Sequence, residues 1–236
     1  MMATTWVCPY EGFYHMQPLA RDFYLPGAEV VAPLLLGHFL LRRVEDEWVG
    51  GEIVETEAYL TDDPACHAYR RETARNRAMW GEHGHAYVFK IYGNYRCVNA
   101  VCRPKGFAEA VLIRAVEPTI GLEYMRQLRP VARDLDLTNG PSKLCIAQNI
   151  GSDLNEADIT DESSGLIIAV NPNREKFLAE RGPLVQTTRI GLSFAADWPL
   201  RWILAGSKSV SKRGVETGWP DGVAPRIIEA IEGSKA

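Results

Sequence analysis

The chain has no C-x-x-C pair, no excess of positive charge and no long uninterrupted apolar run, and each absence narrows what it can be. Its five cysteines, Cys8, Cys66, Cys97, Cys102 and Cys145, are odd in number and scattered. That argues against a disulfide framework and against a Cys-rich zinc module, and fits reduced thiols, several of them buried as small hydrophobes. The longest apolar stretch, Val30 to Leu41, contains Pro33, Gly37 and His38 and is too short to span a bilayer. Met1-Met2-Ala3-Thr4-Thr5-Trp6 lacks the basic flank and apolar run of a secretory signal. The expectation is a soluble, intracellular protein with no membrane association. Repeats, low-complexity tracts and Pro/Gly/Ser-rich linkers are also missing. So are a Ser-His-Asp elbow, a Walker loop, a dinucleotide fingerprint and the kinase motifs, and no cofactor is expected.

What is present suits one large domain: 236 residues, 46% of them hydrophobic and 24% charged. The net charge of −4 sits awkwardly with a nucleic-acid partner, because nonspecific DNA affinity comes mainly from Lys and Arg releasing counterions. Basic residues do cluster locally, at Arg70, Arg71, Arg75 and Arg77, at Arg126, Arg129 and Arg133, and at Lys208, Lys212 and Arg213.

Residues 1–25 read as an irregular segment, followed by one domain over 26–233. Apolar spacing predicts a helix from Ala28 to Leu36, then strands from His38 to Val44 and from Val49 to Leu60. Thr73 to Trp80 reads as a short basic helix. Ala86 to Tyr92 and Tyr95 to Cys102 are β-rich runs joined by Gly93-Asn94, a signal for a tight two-residue hairpin with Tyr92 and Tyr95 flanking its tip. Further strands are expected at 111–116, 167–170, 188–192 and 200–204, with helices at 119–127 and 141–149. The second of these has Pro141 in its first turn and Gly151 beyond its end. Strands and helices mix without regular alternation, which favours an α+β fold with a largely antiparallel sheet.

Glu57 is the residue that fits least well with a purely structural role. It lies in Ile53-Val54-Glu55-Thr56-Glu57-Ala58-Tyr59-Leu60, where strand alternation puts Glu55, Glu57 and Tyr59 on one face. Glu55 reads as a strand-edge carboxylate facing water. Glu57 has a counterpart in Arg114, the one charge in Val111-Leu112-Ile113-Arg114-Ala115-Val116, and a buried arginine needs an anionic partner. Adjacent strands would pair the two and let them hold a water, although structural ion pairs produce the same pattern. Cys66-His67 and His83-Gly84-His85 match no standard zinc spacing, so no metal is expected. Tyr87 and Phe89 fit cross-strand packing, whereas rings at the exposed tip suit a wedge between stacked bases. Asn139-Gly140-Pro141-Ser142-Lys143 opens a helix and reads as either a phosphate contact through Ser142 and Lys143 or a simple cap.

Taken in order, the segment 53–60, His67, Arg75-Asn76-Arg77, Tyr87-Val88-Phe89-Lys90-Ile91-Tyr92-Gly93, Cys97-Val98-Asn99, Leu112-Ile113-Arg114-Ala115-Val116-Glu117-Pro118 and Asn139-Gly140-Pro141-Ser142-Lys143-Leu144 resemble the alkyladenine (3-methyladenine) DNA glycosylases of the mammalian type. The likeness runs from about Leu36 to Ile150, with a weaker echo at 188–204. It implies a single α+β domain on a curved antiparallel sheet with surrounding helices and a protruding β-hairpin. It also implies a monomer that acts on double-stranded DNA containing damaged purines. Glu57 matches the acid that activates water and Arg114 the arginine that helps hold it. Tyr59, His67 and Phe89 match residues around the flipped base, Asn99 the asparagine that discourages guanine, and Tyr92 the inserted tyrosine. Arg75, Arg77, Asn94, Tyr95, Ser142 and Lys143 are candidate backbone contacts. Phe89 stands where the best-known members have tyrosine, and Asn94 where mammalian members are apolar. Two other classes compete: a catalytically silent lesion-binding module, and a nucleoside hydrolase acting on small molecules, which the acidity permits.

Overall fold

The longest strand, β2 (Glu47–Tyr59), runs through the middle of the sheet, and the rest of the fold is arranged around it. The computed structural model describes residues 16–91 and 93–220. Its other strands are β1 (Phe39–Val44), β3 (Ala86–Ile91), β4 (Tyr95–Cys102), β5 (Glu109–Ile120), β6 (Leu166–Ala169), β7 (Leu184–Thr187) and β8 (Arg201–Leu204). All pairings are antiparallel, in the order β3-β4-β5-β2-β1-β6, with β8 on β2 and β7 on β8. Four α-helices accompany the sheet: α1 (Ala28–Leu35), α2 (Leu122–Leu128), α3 (Pro141–Ala147) and α4 (Arg174–Arg181).

One edge of β2 pairs with β5 from Gly50 to Tyr59. The other edge is forked, with β1 taking Glu47 to Glu52 and β8 taking Glu55 to Glu57. At the near end of the fork Gly50 and Gly51 let neighbouring backbones come close. A Cβ at Gly51 would stand 1.9 Å from the Glu117 carbonyl oxygen, and one at Gly50 2.0 Å from that of Leu40. Glycine within a strand is accounted for by such an approach and by the register shift between these two residues.

Alternation gives the sheet two unlike faces. Ala58, Val98, Ala100, Val111, Ile113 and Ala115 pack with Val31, Leu35 and Leu144 in the main core. The Thr56 hydroxyl donates to the Ala32 carbonyl of α1 at 3.0 Å, and the Glu109 carboxylate accepts the Ala28 N–H at 3.0 Å, capping that helix from a strand. The opposite face carries Glu55, Glu57, Tyr59 and Arg114 beside a smaller cluster of Cys66, Met79, Tyr87, Val101 and Ala110. Cys66, Cys97, Cys102 and Cys145 are buried free thiols, and Cys8 lies outside the described residues.

Several local expectations need correction. Ile91 pairs with Tyr95, so the hairpin connection is longer than the two residues Gly93-Asn94, and Gly93 has φ +81°. Residues 73–80 are a turn followed by a 3₁₀ segment, Arg77–Trp80. There the buried Asn76 side chain accepts the Thr73 N–H and donates to the His67 and Arg71 carbonyls, so it competes with helical pairing. β5 continues through Ile120, and α2 begins only after Gly121 at φ +69°. α3 is closed by Asn149 at φ +52°, with the Ile150 N–H on the Cys145 carbonyl at 2.7 Å, rather than by Gly151. Residues 188–192 form a loop, because their backbone and Arg189 serve the site described below. Within the expected irregular segment, Met16 and Leu19 are buried, Pro18 bridges Ala169, and Arg21–Tyr24 is a 3₁₀ turn.

Gly51→Ala is expected to lower the stability of the fold by about 2 kcal/mol or more, since backbone must move to admit the methyl group. Urea denaturation at unchanged m-value is the measurement. A variant as stable as the parent would contradict the close approach of β2 and β5.

Candidate active site

Cross-strand register lines up Arg201, Glu57, Leu112, Asn99 and Tyr87 in one row across β8, β2, β5, β4 and β3. The pairing changes within that row's neighbourhood. Thr56 faces Ile113, but Glu55 faces Ala115, so Arg114 is the extra residue of a β-bulge. Bulges of this kind re-aim a side chain, and here the guanidinium reaches both acids of β2.

The Arg114 Nε donates to Glu55 Oε1 at 2.9 Å and its Nη1 to Glu57 Oε2 at 3.1 Å. Glu57 accepts two further hydrogen bonds: from the Ile190 N–H on Oε1 at 2.8 Å and from the Tyr59 hydroxyl on Oε2 at 2.9 Å. Neither acid is exposed to solvent at all. Burial works to lower the Arg114 pKa, but the charges of Glu57 and Glu55 outweigh it and hold the guanidinium above its ordinary value. Tyr59 is driven well above the usual phenol range, first by burial and then by the charge of Glu57, so its hydroxyl remains a donor.

Glu55 does not face water. It accepts from Arg201 Nη1 at 2.9 Å, from the Ser211 N–H at 2.6 Å and from the Ser211 hydroxyl at 2.8 Å, in addition to Arg114. The fork in the sheet is the reason. β8 occupies the edge of β2 at Glu55, and the segment after β8 folds back over it, so what would be an open edge is enclosed. Two acids and two guanidiniums therefore form a buried group of zero net formal charge. A second enclosed pair, Asp63 with Arg189, stands alongside, and Arg189 lies 4.8 Å from the Tyr59 ring centroid. Sequence reasoning missed Glu55, Asp63, Arg189, Arg201 and Ser211. Arg201 carried the same signal as Arg114, a single charge in an apolar strand, whereas nothing in the loop residues Asp63 and Ser211 marked them.

A slot enclosing about 80 Å³ is lined by Tyr59, His67, Phe89 and Asn99 together with Tyr87, Leu112 and Leu192. It meets Glu57 through Tyr59, whose hydroxyl donates to the acid, and through Leu112, its partner on β5. Phe89 stacks on Tyr87 with centroids 5.1 Å apart, and the His67 ring meets Phe89 edge-on at 4.5 Å. His67 Nδ1 and the Tyr87 hydroxyl are hydrogen-bonded at 3.0 Å, and Asn99 Nδ2 donates to the Tyr87 carbonyl at 2.9 Å. Tyr87 thus packs as expected and also fixes two walls of the slot. Burial, then the charge of Arg75, lowers the His67 pKa, so the ring is neutral at pH 7.

The candidate backbone contacts lie on the outside. Arg75, Arg77, Asn94 and Tyr95 are exposed; Arg75 donates to the Lys90 carbonyl at 3.4 Å, and Arg77 sits 3.6 Å from Glu156. Ser142 is half-buried, and the exposed Lys143 ammonium donates to Asn139 Oδ1 at 2.7 Å. Tyr92 lies outside the described residues. The cluster at 126–133 is internally satisfied: Arg126 pairs with Asp134 at 2.7 Å, Arg133 with Asp136 at 2.8 Å, and Arg129 donates to the Leu137 and Asp136 carbonyls. Among the described residues no group of three or more His, Cys, Asp or Glu side chains is placed to hold a metal ion, and no helix is long and apolar enough to cross a membrane.

The family model for methylpurine-DNA glycosylase matches residues 22–208. A protein of Methanoculleus marisnigri is 46% identical over 195 residues, covering 83% of this chain and 99% of its own length. One from Carboxydothermus hydrogenoformans is 42% identical with the same coverage, and one from Francisella tularensis subsp. tularensis is 41% identical over 77% of this chain and 92% of its own. All three carry the name "Putative 3-methyladenine DNA glycosylase".

Glu55→Ala leaves Arg114 and Arg201 short of a buried counter-charge, which is expected to cost about 3–5 kcal/mol. Glu55→Gln, which keeps an acceptor, should cost less. Chemical denaturation of both variants measures this, and equal stability of Glu55→Ala and the parent would remove Glu55 from the network.

Proposed function

The chain belongs to the methylpurine-DNA glycosylase family, and we propose that it is a monofunctional DNA glycosylase of base excision repair. In this reading it flips alkylated or deaminated purines out of duplex DNA and hydrolyses the N-glycosidic bond. Its substrates are 3-methyladenine and 7-methylguanine, extending to hypoxanthine and ethenoadenine. It works as a monomer wherever the cell keeps its DNA. The observation that carries the proposal is Glu57, held by three donors, one of them the hydroxyl of Tyr59, which with His67 and Phe89 lines the neighbouring slot.

An ionised carboxylate offers about four lone-pair positions. Ile190, Tyr59 and Arg114 occupy three, and the fourth takes the water that attacks the sugar C1′. Arg114 fixes the acid and helps seat that water. The negative charge of Glu57 also stabilises positive charge developing on the sugar. Extruding a damaged base costs a few kcal/mol, less where alkylation has weakened its pairing or stacking. Tyr92 fills the vacated space and Asn94 and Tyr95 meet the backbone, with Arg75, Arg77, Ser142 and Lys143 further along.

Inside the slot the base stacks between Tyr59 and Phe89, whose negative ring faces suit a cationic alkylated purine. One face of Tyr59 is already taken by Arg189, which leaves the other for the base. His67, neutral at pH 7, offers hydrogen bonding at the rim, and the bulk of Asn99 disfavours the 2-amino group of guanine. N3- and N7-alkylated purines leave readily because they already carry positive charge. Among the described residues no lysine lines the slot, so no Schiff base forms and the strand is left uncut.

The slot also weighs against a small-molecule nucleoside hydrolase. About 80 Å³ is well below the roughly 300–1,000 Å³ of a pocket that takes in a whole small ligand. It suits a flat ring system presented by a larger molecule that stays outside.

Glu57→Gln is expected to lower single-turnover release of 3-methyladenine and 7-methylguanine from methylated duplex by at least about 10²-fold while lesion-duplex affinity stays within about threefold. Borohydride should trap no covalent adduct. Base release close to that of the parent would contradict the role of Glu57.

A further inference from the structure

Beside the acid, the loop after β7 and the segment after β8 enclose an open groove. Arg189, Ile190, Gly191, Arg201, Lys212 and Arg213 are among its walls. Three of these also belong to the centre described above. The Ile190 N–H holds Glu57, Arg189 covers Tyr59, and Arg201 pairs with Glu55. The groove is therefore one residue removed from the attacking carboxylate.

We propose that this groove seats a phosphodiester of the DNA strand that carries the damaged base, with Lys212 and Arg213 as its counter-charges. The inference rests on the glycosylase reading. Lys212 and Arg213 are exposed, and no described residue pairs with the Lys212 ammonium. Arg213 Nη1 donates to the Ala205 carbonyl, which anchors the guanidinium while leaving it its charge. The Arg189 Nε is buried without an acceptor, although the rest of that guanidinium is fully used. A groove with surplus donors and positive charge fits a backbone phosphate.

The segment that presents these charges is also held in place. Ser211 is bonded through both its N–H and its hydroxyl to Glu55, and Arg201 Nη1 donates to the Lys212 carbonyl at 2.9 Å. At Gly214 a Cβ would stand 2.6 Å from Thr187, so the segment lies flush against the end of β7. On the opposite wall Gly191 has φ +76° and nothing within 4 Å of where its Cβ would be, which leaves room for another backbone to approach. The basic cluster at 70–77 lies on the His67 side of the slot, where Arg75 bears on His67 and Tyr87. Positive charge thus stands both beside a wall of the slot, at Arg75, and in the groove next to Glu57, at Lys212 and Arg213.

The test is the salt dependence of binding to a lesion-containing duplex. Lys212→Ala is expected to make the slope of log K against log[salt] shallower by about 0.9, and Lys212→Ala with Arg213→Ala by about 1.8. Single-turnover base release at saturating enzyme should stay within about twofold of the parent in both. Arg133→Ala, at a side chain already paired with Asp136, should leave the slope unchanged. If the parent binds duplex with a steep salt dependence and both groove variants keep it, the groove is not a phosphate site and the inference falls alone. If the parent shows no salt-dependent duplex affinity, the functional reading falls and takes this one with it.

Discussion

A single guanidinium shared between two buried acids governs the construction of this protein. Enclosing an ion costs several kcal/mol, and breaking such a pair leaves a charge with no solvent to turn to. Arg114 must therefore be met on both sides, by Glu55 at Nε and by Glu57 at Nη1. The planar fork of arginine can serve two carboxylates in fixed directions, which the point charge of a lysine cannot. The surrounding architecture supplies what that arrangement needs. A bulge in β5 brings Arg114 forward, β8 supplies Arg201, the following segment supplies Ser211, and the loop at 188–191 supplies the Ile190 N–H.

Glu55 and Glu57 sit two residues apart on the same strand face yet do different work. Glu55 spends every acceptor on protein donors, three of them from the edge that β8 closes. Glu57 has β8 at its side too, but takes three donors and is bonded to Tyr59, which lines the slot. The division follows from the fork in the sheet: where the chain folds back over β2 at Ser211, every donor to the carboxylate is scaffold.

The period-two pattern of β2 was enough to place Glu55, Glu57 and Tyr59 on one face, because alternation is a property of the backbone itself, whereas Arg114 reaches that face through a bulge that no local pattern announces. Helix α1 was legible from its own apolar spacing, and the β1–β2 and β3–β4 hairpins from their β-rich runs, although the second turn is longer than Gly93-Asn94. Glu55 was misread because its enclosure depends on a segment about 150 residues further on, and no local pattern reports that. Residues 188–192 look like a strand in composition, but Arg189 and the Ile190 N–H are committed to Asp63 and Glu57 instead of to a ladder. The basic run at 126–133 was equally ambiguous. Only the turn at 134–137 reveals that its charges are answered internally.

The placement of both acids by a two-residue period has a consequence for how such a chain can vary. One residue inserted into or deleted from the first half of β2 would carry Glu55 and Glu57 together onto the side occupied by Ala32 and Val31, where the core offers hydrocarbon and a carbonyl oxygen in place of a cation. Length changes between Glu47 and Glu57 are thus barred in a way that changes in the turn at 45–46 are not. Drift in length across descendants of this fold would have to collect in its loops, with the central ribbon inherited at constant count.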